Sequence, residues 1–147
     1  MKIAIACDHA GLESKERIKS MLESMHYEVK DHGTYNDYSC DYPDFAYKVA
    51  KAVANKEAKF GILICGSGIG MSIAANKIKG VRAGVCTSEE AARLSRCHNN
   101  CNVLCLGERL LDIAQMDKIV KKWLNTEFEG GRHQRRTNKI AQIEKKE

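Results

Sequence analysis

Short, unbroken apolar runs alternate along the chain with longer stretches in which apolar residues recur every three or four positions. The first pattern suits strands buried on both faces, and the second suits helices laid over them, so the chain reads as an α/β protein on a parallel sheet. Residues 2–8 (KIAIACD) predict the first strand, and a helix is expected over 12–25, where Ile18, Met21, Leu22 and Met25 share one face. Residues 27–31 (YEVKD) alternate, as an outer strand would. A second helix is expected over 41–55, with Pro43 in its first turn, where a missing N–H costs nothing. The run FGILIC at 60–65 is the most apolar and is expected at the centre of the sheet. A glycine-rich turn, GSGIG at 66–70, leads into a third helix carrying MSIAANKI. Residues 81–86 (VRAGVC) predict the fourth strand, and 87–96 a fourth helix with a Thr or Ser N-cap and an acidic first turn. Residues 102–107 (NVLCLG) predict the fifth strand and 111–124 the fifth helix. The expectation is a doubly wound, Rossmann-like unit: a three-layer α/β/α sandwich on a five-stranded parallel sheet, complete near residue 125. The rest, about 129–147, is a Gly-Gly hinge and a basic helix with little apolar surface. A helix with so little to bury is seldom stable alone, so it is expected to pack on a partner subunit. Residues 1–147 read as one domain.

Composition narrows the function classes. A hydrophobic content of 44% with 29% charged residues is that of a soluble globular protein. No apolar run approaches the roughly 20 residues that span a bilayer, and the N-terminus lacks a secretory signal, so a cytoplasmic location is expected. The net charge of +5 is concentrated: residues 130–147 hold six Lys/Arg against two Glu, leaving the rest of the chain at +1. That excludes a broad nucleic-acid footprint and suits a compact anion such as a phosphate monoester. The seven cysteines, an odd number without a secretion signal, are expected as reduced thiols. Cys97, Cys101 and Cys105, beside His98, lack the paired knuckles of a zinc site, and no metal or cofactor is expected.

In open α/β sheets ligands bind beyond the carboxyl ends of the strands. Those positions hold Asp8 and His9 after the first strand, Cys65 and the Gly66–Ser67–Gly68–Ile69–Gly70 loop after the third, and Arg109 after the fifth. Backbone N–H groups of such a loop favour an anion or a developing oxyanion. Met71 where a dinucleotide fingerprint needs glycine, and the absence of Gly-Lys-Ser/Thr, set aside both nucleotide-binding loops. A thiol at a helix start has its thiolate stabilised, so the Cys65 pKa is expected below the ordinary ~8.5. The plainer alternative is a small residue ending a buried strand. Asp8 could equally be an N-cap, and His98-Asn99 a helix C-cap. Arg132 and Arg136, four apart on one helical face, suit a phosphate clamp or a solvated surface.

Taken together, CDHAG, DYPDFA at 41–46, ILICGSGIGMSIAANK at 62–77, LSRCHNNCNVLCLGER at 94–109 and EGGRHQRR at 129–136 closely resemble the ribose-5-phosphate isomerase B and galactose-6-phosphate isomerase family. The resemblance implies a five-stranded parallel sandwich whose active sites form at a homodimer interface, in a dimer or a tetramer, with the C-terminal segment reaching across subunits. It implies an aldose–ketose isomerase that interconverts ribose 5-phosphate and ribulose 5-phosphate through an enediolate. By position, Cys65 is the base, the Gly66, Gly68 and Gly70 backbone stabilises the enediolate, and Ser67 keeps a hydroxyl where many members have threonine. His98 opens the furanose ring, Asp8 and Asn99 contact sugar hydroxyls, and Tyr42 lies against the sugar. His9, Arg109, Arg132 and Arg136 hold the phosphate. The substrate is then a small sugar phosphate, with no nucleic acid or membrane partner. An isomerase of allose 6-phosphate or galactose 6-phosphate, and a non-catalytic sugar-phosphate sensor, are the alternatives on the same fold.

Overall fold

The structure is a computed structural model describing residues 1–147. Its sheet is all-parallel, in the order β2-β1-β3-β5-β4. The strands are β1 (Lys2–Cys7), β2 (Glu28–Asp31), β3 (Phe60–Cys65), β4 (Ala83–Val85) and β5 (Val103–Gly107), and β3 is central as its apolar run requires. Side chains alternate faces along each strand. Ile3, Ile5, Ile62, Ile64, Leu104 and Leu106 pack under α1 (Leu12–Ser24), α4 (Glu89–Cys97) and α5 (Ile113–Leu124). Ala4, Ala6, Leu63, Cys65, Val103 and Cys105 pack under α2 (Tyr42–Ala54) and α3 (Ile69–Ala75). This is the expected three-layer sandwich.

Helix ends follow local chemistry. Ser88 caps α4 by accepting from the Ala91 N–H, and Asp112 and Gln115 form a reciprocal capping box on α5. Two elements differ from expectation. The third helix ends at Ala75 and not near 78, because the Asn76 side chain bonds both the N–H and the C=O of Ala83, at 2.7 and 3.0 Å. The fourth strand shrinks to three residues, since the Arg82 N–H turns to the Asn102 side chain at 2.8 Å.

The basic tail forms α6 (Arg132–Lys146), entered through Gly130 and Gly131, both at positive φ. It is anchored to its own chain where Glu144 accepts the Gly80 N–H at 3.1 Å, and by burial of His133 and Thr137, while Ile140 and Ile143 stay exposed. No helix is long and apolar enough to cross a membrane.

The chain leaves β1 for β2 on one side and returns to β3 on the other, so the crevice for a ligand lies between the carboxyl ends of β1 and β3. There the Asp8 N–H donates to the Ile64 carbonyl at 3.1 Å, which sets Asp8 beside Cys65.

Candidate active site

At this carboxyl edge Cys65 ends β3 with 5% of its surface exposed. One side of it packs in the apolar layer with Met71 and Cys105, as a small residue ending a buried strand would. The other side is polar: the Gly68 N–H points at its Sγ from 3.2 Å. Gly68 adopts φ 79°, a left-handed conformation that glycine takes without strain and that turns this amide inward. Ser67 Oγ accepts the Ile69 N–H at 3.2 Å and so shapes the same turn.

The neighbouring strand ends hold this loop in place. The Arg109 N–H donates to the Gly66 carbonyl at 3.0 Å, and the Glu108 N–H to the Cys65 carbonyl at 2.8 Å. The Arg109 guanidinium lies over Gly66, about where a side chain there would begin, and the Tyr42 ring lies against Gly70 in the same way. Asp8 accepts the Ala10 N–H at 2.9 Å and caps a short 3-10 turn, so its capping role is real and coexists with its place beside Cys65. His9 Nδ1 accepts the Cys40 N–H at 3.2 Å, leaving Nε2 as the protonated nitrogen of the neutral ring. Asp8, His9, Tyr42, Cys65, Gly66, Ser67, Gly68, Gly70 and Arg109 therefore belong to one cluster.

The remaining candidates do not join them. His98 caps the carboxyl end of α4, and the 98–102 segment returns to the amino edge, where the Asn102 carbonyl accepts the Gly61 N–H at 2.9 Å. From Gly61 to Cys65 the strand advances four residues, roughly 13 Å, so His98 and Asn99 sit at the opposite end of the sheet from Cys65. His98 stacks on His133, with ring centroids 4.2 Å apart and planes 13° from parallel. The His133 pKa is lowered by desolvation and by the nearby His98 and Arg132. Arg132 and Arg136 lie one turn apart on exposed α6 and make no ion pair within the chain. One chain thus carries two separate groups, one at each end of the sheet.

Burial pushes the Cys7 thiol up to about 12 and the Cys101 thiol to about 11, and raises Cys86, Cys97 and Cys105 as well. Cys101 and Cys105 lie on or next to β5 and not on a helix, so their four-residue spacing joins nothing. Sequence reasoning missed Cys40, which orients His9, and His133, which orients His98. Glu108, just past the fifth strand, accepts a hydrogen bond from Ser14 Oγ and ties the 107–109 turn to α1, a contact the sequence did not show. His133 was visible as a neighbour of Arg132; the other two contacts join distant segments and leave no local signal. A concavity of about 840 Å³ lies away from Cys65, between the β4 edge and α6, and shares only Asn99 with the candidate residues.

The model of the ribose/galactose isomerase family matches residues 3–140. Ribose-5-phosphate isomerase B of Escherichia coli is 48% identical over 99% of this chain and 97% of its own length. The solved structure of ribose-5-phosphate isomerase B from Clostridium thermocellum superposes with a TM-score of 0.98 at 52% identity, covering 99% of both chains. That of the Mycoplasma genitalium enzyme with bound ribulose-5-phosphate gives 0.96 at 48% identity, covering 99% of this chain and 97% of the other.

Proposed function

Because this chain belongs to the ribose/galactose isomerase family, we propose that it interconverts ribose 5-phosphate and ribulose 5-phosphate at a site built from two copies of itself. The observation that carries the residue assignment is Cys65 at the β1/β3 crevice, with its sulfur under the Gly68 amide.

The reaction needs an opened ring, a base that can reach both C1 and C2, and donors for the enediolate oxygen. The Cys65 thiolate takes the C2 proton of the open aldose as electrons move toward the carbonyl oxygen O1, the hydroxyl proton of O2 passes to O1, and the same sulfur returns its proton at C1 as the C2 carbonyl forms. Backbone N–H groups of the 66–70 loop face the developing charge. Asp8 and Tyr42 contact the sugar, and His9 and Arg109 hold phosphate. His98, which opens the ring, then comes from the second copy with Asn99, Arg132 and Arg136, because within one chain they stand at the wrong edge. A phosphate held at a distance fixes the reacting carbons next to the thiol. Exposed Ile69 and Ile73 on α3 and Ile140 and Ile143 on α6 are apolar surface that such a partner would cover. Residues 1–147 act as one domain, with about 129–147 as the reaching segment. Unpaired cysteines throughout suit a reducing compartment such as the cytoplasm.

The test mixes two inactive variants. Cys65→Ala and His98→Asn should each lose orders of magnitude in kcat with the pentose phosphates. Unfolded and refolded together, they should regain about a quarter of wild-type activity, since random pairing makes half the dimers mixed and each mixed dimer holds one intact site of two. No recovery would place both residues in one chain's site and sink the two-copy reading. Activity surviving in Cys65→Ala would sink the mechanism. A higher kcat/KM for a hexose phosphate would move the substrate within the family.

A further inference from the structure

We propose that Cys97, His98 and Glu129 form a binding site for one thiophilic divalent cation of the zinc class, whose occupancy inhibits isomerisation by holding His98. Only the inhibition rests on the function proposed above; the binding rests on geometry alone.

One ligand atom from each of the three residues lies within 4.8 Å of the others. The cluster is prepared by backbone. Cys97 is the last residue of α4 and His98 its cap, while Glu129 comes from the linker before α6, whose N–H donates to the Cys97 carbonyl at 3.1 Å. Tetrahedral zinc with bonds of about 2.0–2.3 Å needs ligand atoms roughly 3.4–3.8 Å apart. Small rotations of the three side chains, Glu129 the freest because it is exposed, can supply the remaining closure of about 1 Å. A thiolate, an imidazole and a carboxylate suit zinc and its congeners and not magnesium or calcium, which prefer oxygen donors. Three protein ligands leave a fourth position for water.

A supporting shell is present. His133 Nε2 lies 3.5 Å from a Glu129 oxygen, and its ring is stacked on His98, so two of the three ligands are oriented in advance. An open depression lined by Arg93, Lys122, Asn125 and Glu127 leads to Cys97 and Glu129. The Arg93 guanidinium, 3.6 Å from Cys97 Sγ, opposes the metal, but its other nitrogens are held by Glu90. A cation here would occupy the imidazole that opens the sugar ring.

The experiment titrates the chelator-treated full-length protein with Co²⁺ and then Zn²⁺. A thiolate-to-Co²⁺ charge-transfer band is expected at one equivalent per chain, displaced by Zn²⁺. Zn²⁺ should suppress turnover, and chelator should restore it. Cys97→Ser and Glu129→Gln should keep metal-free turnover yet weaken binding at least ~100-fold, the upper end of what even an outer-shell loss costs. An undiminished band in Cys97→Ser, or no band in the wild type, would overturn the site. A band that depends on Cys97 with turnover indifferent to Zn²⁺ would overturn the inhibition. Should the metal-free protein show no isomerase activity, the function proposed above fails, while the Cys97-dependent band still decides the site.

Discussion

Gly107→Ala tests the architecture of the Cys65 loop from a residue that contributes no side chain of its own. Gly107 ends β5, paired with Cys65, and a Cβ there would lie 2.7 to 2.9 Å from the Ser67 backbone. Ordinary contact begins near 3.4 Å, so the loop must retreat by about 0.7 Å. The obstacle is backbone, which cannot rotate aside as a side chain would. Overpacking of this kind costs about 1–3 kcal/mol, which for a chain this long lowers Tm by roughly 3–10 °C. The functional effect should be larger in proportion. The displaced segment carries Gly68, whose N–H meets Cys65 Sγ at 3.2 Å, and a misplacement near 1 Å costs on the order of 100-fold in rate. Of the phosphate-binding arginines, Arg132 and Arg136 lie on α6 outside the moved turn and only Arg109 is bonded to it, so KM should change less than kcat. A ribose 5-phosphate assay alongside a thermal melt reads both. Wild-type kcat in a variant whose Tm has fallen would show that the 66–68 turn does not govern the chemistry.

Lys15 is fully buried, with Nζ 2.9 Å from Asp31 and 2.6 Å from the Thr34 carbonyl, so Lys15→Met should cost about 3 kcal/mol in denaturant melts, the low end for a broken buried pair because Lys19 and the Gly33 N–H still face the carboxylate. Burial alone would raise Asp31, but the Gly33 N–H and Lys15 outweigh it and hold the carboxyl below its ordinary value. The stability it contributes is therefore complete above about pH 4 and is lost as pH falls through the lowered value, where wild type and Asp31→Asn should converge. A constant gap between them down to the most acidic pH would refute this linkage. Arg136→Ala should raise KM far more than it lowers kcat, because a phosphate contact is shared by ground and transition states; equal losses in kcat and kcat/KM would assign it to the transition state alone.

Most of the fold is written locally. Short unbroken apolar runs place the strands and period-3.6 patterns the helices, and the FGILIC run predicts that β3 is central, because only a strand covered on both faces can be so uniformly apolar. The motifs also place Asp8, Cys65 and the glycine turn at one sheet edge, since strand ends and the residues after them are adjacent in sequence. Where α3 and β4 stop was not legible, because Asn76 and Asn102 act on residues seven and twenty positions away. Nor could the sequence say that His98 stands at the far edge from Cys65. That follows from α4 running back across the sheet before β5 begins, a matter of chain direction that residue identity does not carry. The same holds for Glu129 beside Cys97 and His133 against His98: contacts between segments some thirty residues apart exist only once packing has closed the loops between them.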